Sequence, residues 1–232
     1  MAQTAPLKSA LIIGASRGLG LGLSLELLKR GWAVTATVRS AAGGTGLEEY
    51  HERVTMDTVD INNLAMVDDL AARMRAKRFD VVVINAGIGG PPGKTAADVS
   101  TEDFAHLFMT NAVAPVRLAG RLIGCVKPET GIIAFMSSIL GSVALRQTSG
   151  MALYGASKAA LNSLTRSFVA DLPDKTVTVI TMHPGWVRTD LGGSNAPLDV
   201  DTSARGMADV LEAQAGAGGH RFLNYKGEEL AW

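Results

Sequence analysis

The chain has 232 residues, 22 Lys+Arg against 22 Asp+Glu, 26 glycines and one cysteine, a length suited to one large domain or two small ones. Balanced charge gives no electrostatic pull toward nucleic acid or an anionic membrane, and 47% hydrophobic residues argue against a disordered chain. A lone Cys125 excludes an internal disulfide framework and a cysteine-rich zinc site, and suits a reducing, cytoplasmic compartment.

The apolar run before Gly14 is only four residues, too short for a secretory signal core. No stretch approaches the roughly 18 to 20 apolar residues of a membrane span. Short apolar runs at 10–13, 33–38, 54–56, 81–84, 132–136, 177–182 and 220–223 read as strands. Several are continuous β-branched or aliphatic runs, as expected of strands covered on both faces. Between them, helical periodicity predicts helices at 19–29, 62–76, 101–126 (broken near Pro115), 153–171 and 202–215. Strand and helix alternating in this way imply right-handed crossovers and a parallel sheet of about seven strands, with helices on both faces. The glycine-rich pieces 41–46, 87–93, 192–195 and 216–219 are too short for linkers and read as connections. A single α/β domain over 1–232 is expected.

The first strand runs directly into Gly14-Ala15-Ser16-Arg17-Gly18-Leu19-Gly20 and then a helix. Glycines there let the chain reverse tightly and bring backbone N–H groups close to a diphosphate. The helix N-terminus adds about half a positive elementary charge. Three glycines in seven residues also occur in plain tight turns, and position after the first strand favours the phosphate reading. The second strand ends at Arg39, 19 residues past Gly20. An acid near this distance would bind the free ribose hydroxyls of NAD. Here no acid precedes Glu48, whereas Arg17 and Arg39 offer two guanidiniums for a 2′-phosphate. The sequence therefore predicts NADP(H); ordinary solvated arginines are the alternative.

Tyr154 and Lys158 stand four apart at the start of a helical pattern, hence on one face. An ammonium beside the phenol is expected to lower its pKa of about 10 by two to three units. That would fit it for acid/base work near neutrality. Ser137 and Ser138 follow the 132–136 strand, on the edge where open α/β sheets bind ligands. A hydroxyl there can donate to a carbonyl oxygen and steady developing negative charge.

Gly14-x3-Gly18-x-Gly20, Asn85-Ala86-Gly87, Ser138, Tyr154-x3-Lys158 and Pro184-Gly185 followed by Thr189 occur in order over about three quarters of the chain. Together they resemble the short-chain dehydrogenase/reductase family. The stretches 183–190 and 221–232 resemble its C-factor-like, carbonyl-reductase-related branch. The resemblance implies a Rossmann-type doubly wound sheet and substrate loops near 139–153 and 186–200. It also implies an oxidoreductase that interconverts a ketone or aldehyde with an alcohol. In that reading Tyr154 is the general acid/base, Lys158 holds the nicotinamide ribose, Ser138 polarises the carbonyl and Asn111 supports a proton relay. Gly14, Ser16, Arg17, Gly18, Leu19 and Gly20 would wrap the diphosphate. Arg39 would take the 2′-phosphate, Asp57 the adenine, and Asn85, Ala86 and Gly87 the adenosine ribose. Pro184, Gly185, Val187 and Thr189 would border the nicotinamide. Asp60 is read as the cap of the next helix.

Three departures stand out: Ile13 where the family usually has Thr, Ile84 where a second Asn is common, and an unusually long separation of 16 residues between Ser138 and Tyr154. Ser137 remains an alternative to Ser138. Leu140, Val143, Leu145, Met151, Trp186 and Leu191 are expected to line an apolar cleft and to favour an uncharged substrate. Trp186 fits pocket lining or plain packing equally, and 191–197 is expected to act as a lid. The four histidines lack ligand spacing, so no metal is expected. Cys125 and Trp32 read as packing residues. Leu230 and Trp232 are expected to dock on the body or on another subunit. Small residues along 153–171, including Ala156, Ala160, Ser163 and Ser167, suit a homodimer or homotetramer. A nucleotide-binding sensor with little turnover is the alternative function, and an epimerase or dehydratase a third.

Overall fold

Seven hydrophobic runs pair into one parallel sheet: β1 (Ser9–Ile13), β2 (Ala33–Val38), β3 (Val54–Thr58), β4 (Val81–Ile84), β5 (Ile132–Met136), β6 (Thr178–His183) and β7 (His220–Asn224). The computed structural model describes residues 7–40, 46–173 and 176–232. The 41–46 connection therefore lies outside the described residues except for Gly46. The strand order is β3-β2-β1-β4-β5-β6-β7, a Rossmann-type doubly wound arrangement with a seventh strand added at one edge. Its direction of winding reverses between β1 and β4, where Ile13 pairs with Ile84. Loops leaving the two strands diverge there and leave a crevice above their C-terminal ends.

Alternation along each strand divides the core in two. Leu11, Ile13, Val82, Ile84, Ile133, Phe135 and Val179 face α2 (Leu64–Met74), α4 (Ala114–Leu122) and α5 (Ala152–Asp171). Ala10, Ile12, Val34, Ala36, Val83, Ala134, Ile180 and Met182 face α1 (Gly18–Lys29) and α6 (Val200–Ala213). Both faces are dry, so apolar residues occupy successive positions and the strands read as runs. Trp32 is buried on the α1/α6 side, its indole N–H donating to Glu212 (3.2 Å). Cys125 is a buried packing residue whose thiol is pushed up by burial.

Most element ends fall within one or two residues of the periodicity. The 101–126 segment differs. It comprises α3 (Thr101–Phe108), a π-helical turn Met109–Val113, α4 and a short 3-10 turn Ile123–Cys125. Pro115 is the physical reason for the break. It offers no N–H to the carbonyl of Asn111 four residues earlier, and it fits only the first turn of a new helix. A second difference concerns the cap of α2. Asn63 accepts from the Met66 N–H (3.2 Å), whereas Asp60 accepts from the Asn62 N–H (2.9 Å) in the preceding turn. Asp60 is therefore not the helix cap.

Candidate active site

The glycine turn joins β1 to α1 at the crevice. Gly14 and Gly18 have φ of 87° and 55°, the left-handed region that glycine enters without penalty. A Cβ on Gly20 would collide with the Gly14 carbonyl oxygen and the Asn85 amide. The Asn85 side chain donates to that same Gly14 oxygen (2.8 Å), tying the first turn to the end of β4. Helices α2, α3 and α6 are each capped by a side chain, from Asn63, Ser100 and Asp199. Helix α1 has neither a side-chain cap nor an acid in its first turn. Its leading N–H groups are thus free to receive an anion, and the donor set fits a diphosphate.

The two arginines are placed differently. Arg17 pairs with Asp190 at 2.6 Å, both more than 70% exposed, and so joins the glycine turn to the 186–200 loop. Arg39 is exposed at the end of β2 and has no ion pair among the described residues. Asp57 gives its carboxylate to Arg73 (2.8 and 3.1 Å) and to the Thr58 N–H (2.7 Å), so an adenine contact there would have to share it.

Across the crevice, Tyr154 is 8% exposed, with the Ser138 side chain next to its phenol. Ser138 Oγ also accepts from the Leu140 N–H (3.1 Å). Ser137 points elsewhere and donates to Asn162 Oδ1 (2.6 Å). Successive residues at a strand end face opposite ways, and of the two serines it is Ser138 that meets the tyrosine. Lys158 is buried, with its Nζ 5.7 Å from the Tyr154 ring centre and donating to the Met136 carbonyl (2.9 Å). Burial pushes the Tyr154 phenol up to about 12 and the Lys158 amine down to about 8. This corrects the expected acidified phenol. In the chain by itself desolvation dominates, and the Lys158 ammonium is engaged with the Met136 carbonyl.

Asn111 sits in the π-helical turn. Its side chain accepts from the Ile88 N–H and donates to the Ile88 carbonyl (both 2.8 Å), and it donates to Ser157 Oγ (3.0 Å). Ser157 in turn donates to the Tyr154 carbonyl (2.7 Å). Asn111 therefore reaches the start of α5 through Ser157, which sequence reasoning passed over although it lies three residues from Tyr154. Asn162 was also passed over. It lies one turn beyond Lys158, accepts from Ser137 and donates to the Gly141 carbonyl (3.2 Å).

The 186–200 loop is tightly pinned. The Trp186 indole donates to the Gly192 carbonyl (2.8 Å), the Gly192 N–H to Thr189 Oγ1 (3.1 Å), and Arg188 to the Ala196 and Pro197 carbonyls (3.0 Å each). A Cβ on Gly18 would lie 3.5 Å from Thr189, and one on Gly89 3.7 Å from Leu191, so the loop closes over both walls of the crevice. Val143, Leu145, Met151, Trp186 and Leu191 remain exposed on the two loops.

His183, at the end of β6, is largely buried, and its Nδ1 has no hydrogen-bond partner among the described residues. His220 shares a hydrogen bond with Thr181 (2.9 Å). Burial pushes both down to about 4, with Arg166 adding to the effect at His220. Each is therefore neutral in the fold but charged in the unfolded chain below about pH 6.5. Between pH 6.5 and 4 the unfolded state binds more protons, so stability falls as pH falls. The expected loss is up to about 1.4 kcal/mol per pH unit for each histidine. Urea unfolding midpoints should be lower at about pH 5 than at about pH 7, and His220→Gln should flatten the dependence.

The short chain dehydrogenase family profile matches residues 8–197. The C-signal protein of Myxococcus xanthus is 36% identical over 154 residues, 66% of this chain and 92% of that protein. Among solved structures, one described as a short-chain dehydrogenase/reductase from Burkholderia multivorans with bound NADP superposes with a TM-score of 0.94. It is 42% identical and covers 98% of this chain and 100% of its own. A carbonyl reductase from Pseudomonas aeruginosa in complex with NADP gives 0.91 at 42% identity, over 98% and 100% of the two chains.

Proposed function

Because this chain belongs to the short-chain dehydrogenase/reductase family, we propose that it is an NADPH-dependent carbonyl reductase, interconverting an uncharged ketone or aldehyde with its alcohol. The observation that carries this reading is the buried Tyr154 phenol beside Ser138 at the C-terminal edge of the sheet, one helical turn from the buried Lys158. The relatives with bound NADP, and the exposed Arg39 beside the uncapped α1, support the choice of cofactor. Gly14, Ser16, Arg17, Gly18, Leu19 and Gly20 would hold the diphosphate, with Arg39 on the 2′-phosphate and Asp57 near the adenine. Asn85, Ala86 and Gly87 would border one ribose and Lys158 the other, with Pro184, Gly185, Val187 and Thr189 along the nicotinamide.

When bound, the reduced nicotinamide supplies the hydride. Ser138 donates a hydrogen bond to the substrate oxygen and stabilises the charge that develops there. Tyr154 gives its proton to the same oxygen. A phenol held near 12 is fully protonated at neutral pH, and an alkoxide, about as basic as hydroxide (water pKa about 15.7), takes the proton downhill. Lys158 and the Asn111–Ser157 link hold the tyrosine's helix in place. Val143, Leu145, Met151, Trp186 and Leu191 give the mouth an apolar rim that suits a neutral substrate. The same reading carries a homodimer or homotetramer through α4 and α5, where Ala156, Ser163, Leu164 and Ser167 are exposed.

The test is loss of NADPH absorbance with a panel of uncharged ketones and aldehydes. Consumption is expected. NADPH binding without consumption by any member would overturn the enzyme and leave the nucleotide-holding alternative.

A further inference from the structure

Residues 142–150 join the Ser138 turn to the Tyr154 helix and form no regular element. They nonetheless carry Val143 and Leu145, which are 79% and 39% exposed. A bare loop with apolar side chains in water has little reason to hold one shape. Two devices hold this one.

The first lies inside the loop. Arg146 donates to the Leu140 carbonyl (3.0 Å) and the Gly150 carbonyl (2.8 Å). Its guanidinium lies on Gly155, where a Cβ would collide with it. That contact gives a reason for glycine directly after Tyr154.

The second comes from the far end of the sequence. The Ala144 N–H donates to the Trp232 backbone oxygen (3.1 Å). Among the described residues this is the one hydrogen bond that ties 142–150 to a distant part of the chain. Trp232 reaches it because the chain turns back after β7. The Gly227 N–H bonds the Asn224 carbonyl (2.9 Å), Leu223 pairs antiparallel with Glu229, and the Leu230 N–H bonds the Phe222 carbonyl (2.8 Å). The indole then seats against His220 (4.7 Å) and Phe222 (5.2 Å), with the Arg166 guanidinium 5.1 Å from its centre. Arg166 belongs to α5, the helix that carries Tyr154 and Lys158. One residue thus connects the edge strand and the helix of the candidate acid, through its indole, with the 142–150 loop, through its backbone oxygen.

We propose that Trp232 is a positioning residue of the substrate cleft: through Ala144 it fixes the segment that joins Ser138 to the Tyr154 helix, and so sets which carbonyl compounds are accepted. The substrate part of this statement rests on the carbonyl-reductase reading; the anchoring part does not. The aromatic seat predicts that Phe substitutes for Trp232 and Ala does not.

The experiment compares Trp232→Ala and Trp232→Phe in the NADPH-bound protein. Hydrogen exchange of peptides covering 142–150 should speed up by about tenfold or more in the Ala variant and stay near wild type in the Phe variant. With an uncharged ketone, KM should rise about tenfold in the Ala variant, while kcat and the NADPH dissociation constant change less than about twofold. Arg166→Ala removes the cation from the seat without touching the tail. It should show the same effects in smaller measure, and it takes over the test if the Ala variant at 232 does not fold. Unchanged exchange over 142–150, or a loss shared equally by kcat and NADPH binding, would overturn the proposal. If the wild-type protein reduces no carbonyl compound, the functional reading fails and the exchange result alone decides the anchoring.

Discussion

Tyr154→Phe is expected to lower kcat for carbonyl reduction by roughly 10²- to 10⁴-fold, the range for removal of a positioned general acid. The dissociation constant for NADPH should change by less than about threefold, because the phenol oxygen is the only atom lost and the glycine turn lies across the crevice. The fold should tolerate the change. Ser138 Oγ still accepts from the Leu140 N–H, so the change removes at most the partner of one hydroxyl proton, and unfolding free energy should fall by no more than about 1 to 3 kcal/mol. Single-turnover reduction followed by NADPH absorbance, with fluorescence titration of NADPH, measures both quantities. Residual turnover within about tenfold of wild type would mean that another group supplies the proton, and the assignment of Tyr154 would fall.

Arg39→Asp should cut kcat/KM with NADPH by roughly 10²-fold and raise it with NADH. A hydrogen bond between charged groups contributes about 1.5 to 3 kcal/mol, and each 1.4 kcal/mol is a factor of ten. Reversing the charge adds repulsion of the 2′-phosphate and offers the free ribose hydroxyls of NADH an acceptor. Arg39 carries more of this than Arg17 because Arg17 is already paired with Asp190, whereas Arg39 has no ion pair among the described residues. The preference should weaken as ionic strength rises, since Arg39 is exposed and screened by salt. Initial rates with both cofactors at two salt concentrations test this. An unchanged ratio of the two efficiencies would remove Arg39 from the phosphate site.

Much of the fold was legible because a sheet buried on both faces leaves uninterrupted apolar runs, as at 81–84 and 132–136. The glycine turn was legible because backbone crowding at Gly14 and Gly20 admits no side chain. The π-helical turn around Asn111 was not. Pro115 announces a break, but the same residue permits a kink, a new helix or a widened turn, and packing selects among them. Nor was the state of the phenol. Spacing puts Lys158 and Tyr154 on one face of α5, yet the ammonium is drawn to the Met136 carbonyl and burial raises the phenol.

The sequence by itself determined what depends on near neighbours: the alternation of strands and helices, the cradle of backbone donors after β1, and a tyrosine one helical turn from a lysine beside a serine-tipped strand. Only the tertiary structure decided which partner each polar group takes. Arg17 meets an acid 173 residues away, Asp57 gives its carboxylate to Arg73, Ser138 rather than Ser137 turns to the tyrosine, and Trp232 closes on the loop at Ala144. The physical reason is that dihedral preference and hydrophobic period act over a few residues. Charge pairing, desolvation and aromatic seating depend on distances in space, and those exist only after the chain has packed.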